Sequence, residues 1–137
     1  MEENDQLIFF TDGAYSHSKN IGGWAFFCKN YRLRVCNKEE NTTSNRMEIT
    51  AAIKALEWIS DSNVPEKDII IYSDSLYLVN TLNGKFTKKT NMDLWDKLDF
   101  LLELLFNKRI TWIHVKGHDG NEGNEVVDQL ANLMSQL

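Results

Sequence analysis

The sequence predicts an α/β fold: a five-stranded mixed sheet flanked by helices. Three observations predict it. Ile69-Ile70-Ile71-Tyr72 is a short β-branched and aromatic run, bounded by Lys67-Asp68 and by Ser73-Asp74-Ser75. Such a run reads as a strand buried on both faces, hence central and parallel to a neighbour. Leu7-Ile8-Phe9-Phe10-Thr11-Asp12-Gly13 repeats the grammar near the N-terminus. Between the two lie a hairpin pattern and a helical pattern, which allow a right-handed crossover. Both runs end on an aspartate. Ligand sites in open α/β sheets lie at the carboxyl ends of such strands, so Asp12 and Asp74 suggest one shared anionic site.

The elements follow in order. Residues 7–15 read as the first strand, with Ile8, Phe10 and Asp12 on one face and Leu7, Phe9 and Thr11 on the other. Residues 22–28 read as a second strand, Lys29-Asn30 as a turn, and 31–37 as a third strand, antiparallel to the second. Glu39 to Asn45 is polar and reads as a loop. A helix is expected over about 45–61, with Met47, Ala51, Ala55, Leu56 and Ile59 in its apolar stripe. The Ile69 strand follows, then a short helix over 76–82 that Asn83-Gly84 stops. Lys85 to Lys89 is a basic loop. Asn91 is placed to cap a helix over 92–107 whose stripe is Leu94, Leu98, Leu101, Leu102 and Leu105. Residues 110–115 read as a fifth strand, and Asn124 as the cap of a last helix.

At 137 residues, with no repeats or low-complexity linker, the chain is expected to be a single domain spanning 1–137. No run approaches the 18 apolar residues of a membrane span, and the polar, acidic start does not read as a signal peptide. Cys28 and Cys36 lack metal-ligand spacing. Reduced thiols and a cytoplasmic location are the expectation. No helix shows an obvious exposed apolar face, so a monomer is expected. The net charge of −5 argues against a general nucleic-acid surface. Two divalent cations held by acids would add four charges and bring that total to −1.

Four acids carry the chemistry, and each has a plainer reading. Asp12 could be a turn residue before Gly13, and Asp74 the cap of the helix at 76. Glu48 fits a capping box with Asn45, reaching back to the helix start. Asp128 sits early in the last helix, where the dipole favours an acid. Convergence changes the balance. Carboxylates brought together repel unless cations neutralise them, and oxygen-only ligands select Mg²⁺ or Mn²⁺ over zinc. Two such ions about 3.5–4 Å apart are the common device for in-line phosphoryl displacement.

These residues resemble the type 1 ribonucleases H, and the resemblance is collinear over about residues 7–134. Its segments are Thr11-Asp12-Gly13, Asn45-Arg46-Met47-Glu48 with Ala51-Ala52, Ser73-Asp74-Ser75, Asp93-Leu94-Trp95, Trp112 through Lys116-Gly117-His118, then Asn124 and Asp128. Each segment is weak alone; all of them in order are highly specific. The resemblance implies a ribonuclease H-like fold. It also implies endonucleolytic hydrolysis of the RNA strand of an RNA–DNA hybrid, with two metal ions, leaving 5′-phosphate and 3′-hydroxyl ends. Carried over by position, Asp12, Glu48, Asp74 and Asp128 are the metal-binding carboxylates, with Asp12 shared by both ions. His118 matches the mobile-loop histidine that helps proton transfer or product release. His17 and His114 keep ordinary loop and strand readings.

The substrate-binding set taken over is Gly13, Thr43, Ser44, Asn45 and Asn91, together with the loop lysines Lys85, Lys88 and Lys89. Thr43 and Asn91 match a pocket for a DNA-strand phosphate, without its third, basic member. Asn41 lies nearby in sequence. Ser18, Ser44 and Leu76 stand where much of the family has an amide side chain touching RNA 2′-hydroxyls. The basic helix and loop of many bacterial members is absent, as in the domains of some reverse transcriptases. Weak, salt-sensitive hybrid binding is therefore expected. Two alternatives are a non-catalytic hybrid-binding module, which would have no need of four acids and His118, and a DNA-directed nuclease of the same superfamily.

Overall fold

The computed structural model describes residues 6–117 and 120–137. The elements run β1 (Gln6–Ser16), β2 (Ile21–Cys28), β3 (Leu33–Glu40), α1 (Ser44–Ser62), β4 (Asp68–Ser73), α2 (Leu76–Leu82), α3 (Met92–Leu104), β5 (Arg109–His114) and α4 (Glu122–Ser135). The sheet order is β3-β2-β1-β4-β5. β1–β2 and β2–β3 pair antiparallel; β1–β4 and β4–β5 pair parallel. This is the mixed sheet that the two apolar runs predict.

The period of two along β1 divides the protein into two layers. Leu7 and Phe9 face a core built with α1, β4, α2 and α3, including Met47, Ile53, Leu56, Ile69, Ile71 and Trp95. Phe10 faces the other side, where Ala25 on β2 and Val127 and Ala131 on α4 form a smaller core. Each fully buried Leu, Ile or Phe contributes about 1.5–3 kcal/mol. The first layer therefore holds most of the apolar stabilisation. α4 docks closely because Gly123 has no side chain: a Cβ there would lie 2.3 Å from the Phe10 ring. Ile70 and Tyr72 are only half-buried, since α4 packs on β1, β2 and β3 and leaves that part of β4 less covered.

Several local expectations change. Tyr31 and Arg32 belong to a four-residue turn, not to the third strand; Arg32 takes a positive φ of 51° there. β3 instead runs on to Glu40, because Lys38, Glu39 and Glu40 continue the ladder opposite Gly23, Gly22 and Ile21. Of the polar stretch expected to be a loop, Glu39 and Glu40 are strand and Ser44 and Asn45 already helix. α1 starts at Ser44, and Thr43 is its cap, with Oγ1 accepting from the Arg46 N–H at 3.1 Å. The capping box between Asn45 and Glu48 is not made. α3 ends at Leu104 and is followed by a turn, short of the expected 107. Asn91 precedes α3 but makes no side-chain cap bond. Asn121, not Asn124, caps α4 through its side-chain oxygen, so Asn124 lies inside the first turn.

The outer surface also departs from expectation. α3 exposes Phe100 and Leu104, one turn apart, and Phe106 follows at 86% exposure. The leucine stripe that buries α3 hid this second apolar row in the sequence. Among the described residues, no helix is long and apolar enough to cross a membrane.

Candidate active site

Parallel pairing brings the two aspartates together. Thr11 on β1 is level with Ser73, the last residue of β4, so Asp12 and Asp74 are the next residues along the two neighbouring chains. The two serines around Asp74 take the local turn chemistry. Ser73 Oγ accepts from the Ser75 N–H at 3.0 Å, and Ser75 Oγ caps α2 by accepting from the Leu78 N–H at 3.1 Å. Asp74 is therefore not the helix cap, and its carboxylate is left for the site.

Glu48 arrives from α1, on the other layer. The helix crosses β1 at Gly13 so tightly that a Cβ there would lie 2.4 Å from the Glu48 backbone nitrogen. The Gly13 N–H donates to Asp12 Oδ1 at 2.8 Å and to Glu48 Oε1 at 3.1 Å. Asp12 is 3% exposed and Glu48 8%. One carboxylate oxygen from each of Asp12, Glu48 and Asp74 lies within 4.8 Å of the other two. Asp128 comes from α4, half-buried, near enough to Asp12 to affect its carboxyl, but it is not one of the three acids whose oxygens converge within 4.8 Å. It is the seventh residue of α4, not a first-turn acid; Glu122 and Glu125 occupy the first turn. One turn beyond Asp128, Asn132 Nδ2 donates to its main-chain oxygen at 2.8 Å and to its Oδ1 at 3.2 Å.

Electrostatics follow from this crowding. Burial pushes the Asp12 carboxyl up from 3.8 to about 8, with the charge of Asp74 and the nearby Asp128 adding to it and the Gly13 N–H opposing it. Burial also holds Glu48 well above the usual carboxylate range, reinforced by Asp12 and Asp74. Among the described residues, no lysine or arginine forms an ion pair with any of the four acids. An acidic cluster of oxygen donors with no protein cation beside it fits a hard divalent cation. Asp12, Glu48 and Asp74 would hold it, with the half-buried Asp128 near Asp12.

His118 lies outside the described residues. Gly117, directly before it, lies against the site: a Cβ there would sit 3.2 Å from Asp74 Oδ2.

The expected substrate contacts separate into two groups. Ser44 and Asn45 are exposed at the start of α1, beside the Thr43 cap, and Leu76 is 54% exposed at the start of α2, two residues past Asp74. Ser18 is exposed in the first loop. Lys85 and Lys89 are exposed and line a cavity of about 490 Å³ with Tyr77, Phe86, Thr87 and Thr90. Lys88 is committed elsewhere. Its Nζ sits 2.7 Å from Asp99 Oδ2 and over the Trp95 ring at 5.7 Å from the centroid.

Asn91 is part of a brace that sequence reasoning missed. Its Oδ1 accepts from Arg46 Nη1 at 3.3 Å, and its Nδ2 donates to the Tyr77 hydroxyl at 3.1 Å. Trp95 Nε1 donates to that same hydroxyl at 3.3 Å. Arg46 also grips Asp93 with two hydrogen bonds, at 3.0 and 2.7 Å. Arg46 beside Asp93 holds the Asp93 carboxyl down to about 2. The network ties α1, α2 and α3 together within a few residues of Glu48 and Asp74. No sequence spacing announces it, because its members are 14 to 47 positions apart.

A mixed sheet whose adjacent parallel strands deliver two acids, joined by one from a helix on each face, defines an oxygen-donor site for divalent cations. Comparison with known proteins gives the family. The RNase H family model matches residues 4–136. The Ribonuclease H of Ruthia magnifica subsp. Calyptogena magnifica is 36% identical over 146 residues, covering 94% of each chain. That of Francisella philomiragia subsp. philomiragia is 38% identical over 145 residues, covering 95% of this chain and 91% of the relative. The fold matches the N-terminal RNase H domain of a Mycobacterium tuberculosis protein, solved fused to maltose-binding protein. The TM-score is 0.80 at 17% identity, over 96% of this chain and 94% of the other. The chain belongs to the RNase H family, whose members depend on divalent metal.

Proposed function

We propose that this protein hydrolyses the RNA strand of RNA–DNA hybrids endonucleolytically, leaving 5′-phosphate and 3′-hydroxyl ends, with two Mg²⁺ ions held by Asp12, Glu48, Asp74 and Asp128. The observation that carries the reading is the cluster itself: three carboxylates with oxygens within 4.8 Å of one another, two of them buried, with Asp128 nearby. Such an arrangement is costly for a protein that only binds nucleic acid. All four acids come from one chain, so a single copy holds a complete site.

Bound cations would supply activation of water and neutralisation of charge on the phosphate and leaving oxygen. The chain's own residues do the positioning. The Gly13 N–H fixes one oxygen of Asp12 and one of Glu48, and these bonds orient both carboxylates. Asp12 lies near both Asp74 and Asp128 and would be the ligand shared between two ions. His118, the next residue in sequence after Gly117, is the proposed group for proton transfer or product release. Thr43, Ser44, Asn45 and Asn91 would meet the hybrid beside the acids. Lys85 and Lys89 would meet phosphates further along it, while Lys88 is held by Asp99. RNA would be distinguished through its 2′-hydroxyls.

The test is cleavage of a strand-labelled RNA–DNA hybrid with Mg²⁺, Mn²⁺ or EDTA, comparing the native chain with Asp12→Asn. The expected result is metal-dependent cutting of the RNA strand only, lost in the variant. Binding without cutting would replace this reading with a hybrid-binding module. Cutting of duplex DNA would replace it with a DNA-directed nuclease.

A further inference from the structure

We infer that Asn132 is a positioning residue for Asp128, setting which of its carboxylate oxygens turns to the cation site. The inference rests on the reading of Asp128 as a metal ligand. Asp128 is less enclosed by the fold than Asp12 and Glu48. Asp12 and Glu48 are buried and share the Gly13 N–H. Asp128 is only half-buried, on a helix surface. An aspartate there has two rotatable bonds, and without a restraint it would also turn towards solvent.

Asn132 supplies the restraint. Residues four apart lie on the same helix face. Its Nδ2 donates one hydrogen to the Asp128 main-chain oxygen at 2.8 Å, which anchors the carboxamide to the helix. The other hydrogen is thereby aimed at Asp128 Oδ1, at 3.2 Å. With Oδ1 held, Oδ2 is the oxygen left to serve the centre. The residue type matters. A lysine or arginine would hold the carboxylate more strongly, but its charge would oppose a divalent cation. A second acid would add to the repulsion. A carboxamide gives a hydrogen bond and no net charge. Hydrogen bonds to ligating carboxylates from outside the ligand set typically change metal affinity by about 10–100-fold when removed.

A merely structural role is the competing account, because a carboxamide bonded to a helix carbonyl one turn back is a common local contact. Metal affinity separates the two. Mn²⁺ binding to the substrate-free protein would be titrated by paramagnetic resonance of the free ion, for the native chain, Asn132→Ala, Asn132→Gln and Asp128→Asn. Thermal unfolding with EDTA would run beside it. The expected result is a roughly tenfold weaker Mn²⁺ affinity for Asn132→Ala, with unchanged unfolding and partial recovery in Asn132→Gln. The Mg²⁺ requirement for cleavage would shift by the same factor, with kcat regained at saturating metal. Native affinity in Asn132→Ala, with weakened affinity in Asp128→Asn, overturns the inference alone. Native affinity in both overturns the assignment of Asp128 and the inference with it. If Asn132→Ala fails to fold, Asn132→Gln decides: a weakened Mn²⁺ affinity with unchanged unfolding supports the role, and native affinity overturns it.

Discussion

Asp12 and Glu48 share one donor: the Gly13 N–H lies 2.8 Å from Asp12 Oδ1 and 3.1 Å from Glu48 Oε1. The sharing requires β1 and α1 to touch backbone to backbone, and only glycine permits that. In Gly13→Ala, the added methyl would meet the Glu48 nitrogen and the Met47 carbonyl carbon, each at 2.4 Å. Backbone cannot yield as a side-chain tip can. The substitution is expected to cost about 1–3 kcal/mol in folding. It should also weaken Mn²⁺ binding, because separating strand from helix parts the two carboxylates. Urea unfolding with EDTA measures the first and a Mn²⁺ titration the second. Native values in both would show that the contact yields.

The metal-free protein should lose stability as pH rises. The Asp12 carboxyl titrates near 8 in the folded chain against an ordinary 3.8. Below about pH 4 both folded and unfolded chains keep that proton. Between there and about 8 the unfolded chain releases it while the folded chain holds it, so folding is progressively disfavoured. Glu48, also raised, acts in the same direction. Melting temperature in EDTA should therefore fall from pH 5.5 to 8.5. Asp12→Asn should flatten that fall and raise the value at pH 8.5 by about 4 °C or more, corresponding to about 1 kcal/mol. Mg²⁺ should restore the native chain most at the higher pH, since binding displaces protons. A melting temperature in EDTA that is level or rising across this range would contradict the raised pKa of both acids.

How much of this was legible beforehand depends on the range of each interaction. The parallel pairing of the strands that deliver Asp12 and Asp74 was legible, because apolar runs and a crossover helix constrain it strongly. The caps were less so. Asn45–Glu48 has the spacing of a capping box, yet Glu48 is drawn 35 residues away to Gly13. Asn91 and Asn124 look like caps but are used by partners or packing. Both are cases in which tertiary contact overrides a local preference that is worth only about 1 kcal/mol. The Arg46–Asn91–Tyr77 brace was illegible for the same reason. The Asp128–Asn132 pair, by contrast, has plain i,i+4 spacing and could have been read from the sequence.

The three loop lysines should not be equivalent. Lys88 is paired with Asp99, whereas Lys85 and Lys89 are exposed at the rim of the cavity beside Tyr77 and Phe86. Each phosphate contact contributes about one unit to the slope of log affinity against log salt. Lys85→Ala with Lys89→Ala should flatten that slope by about two units; Lys88→Ala should leave it nearly unchanged. Hybrid binding by the Asp12→Asn protein, measured from about 50 to 200 mM salt, reads this directly. A slope that responds to Lys88 as strongly as to the others would mean that Asp99 gives it up on binding.

Thr43 separates folding from binding. Its Oγ1 accepts the Arg46 N–H at 3.1 Å and caps α1. That leaves the hydroxyl proton for a ligand oxygen. The two uses respond differently to substitution. Thr43→Val removes both, and should lose about 1 kcal/mol of stability as well as hybrid affinity. Thr43→Ser keeps both. Thr43→Asp keeps the acceptor, so the cap survives, but it removes the donor and sets a negative charge where a phosphate would come. Its stability should match the native chain, while KM for the hybrid rises on the order of tenfold, about 1.4 kcal/mol, with kcat retained. If KM in Thr43→Asp stays native, Thr43 is a helix cap only, and the DNA-strand phosphate must be met elsewhere along Ser44, Asn45 and Asn91.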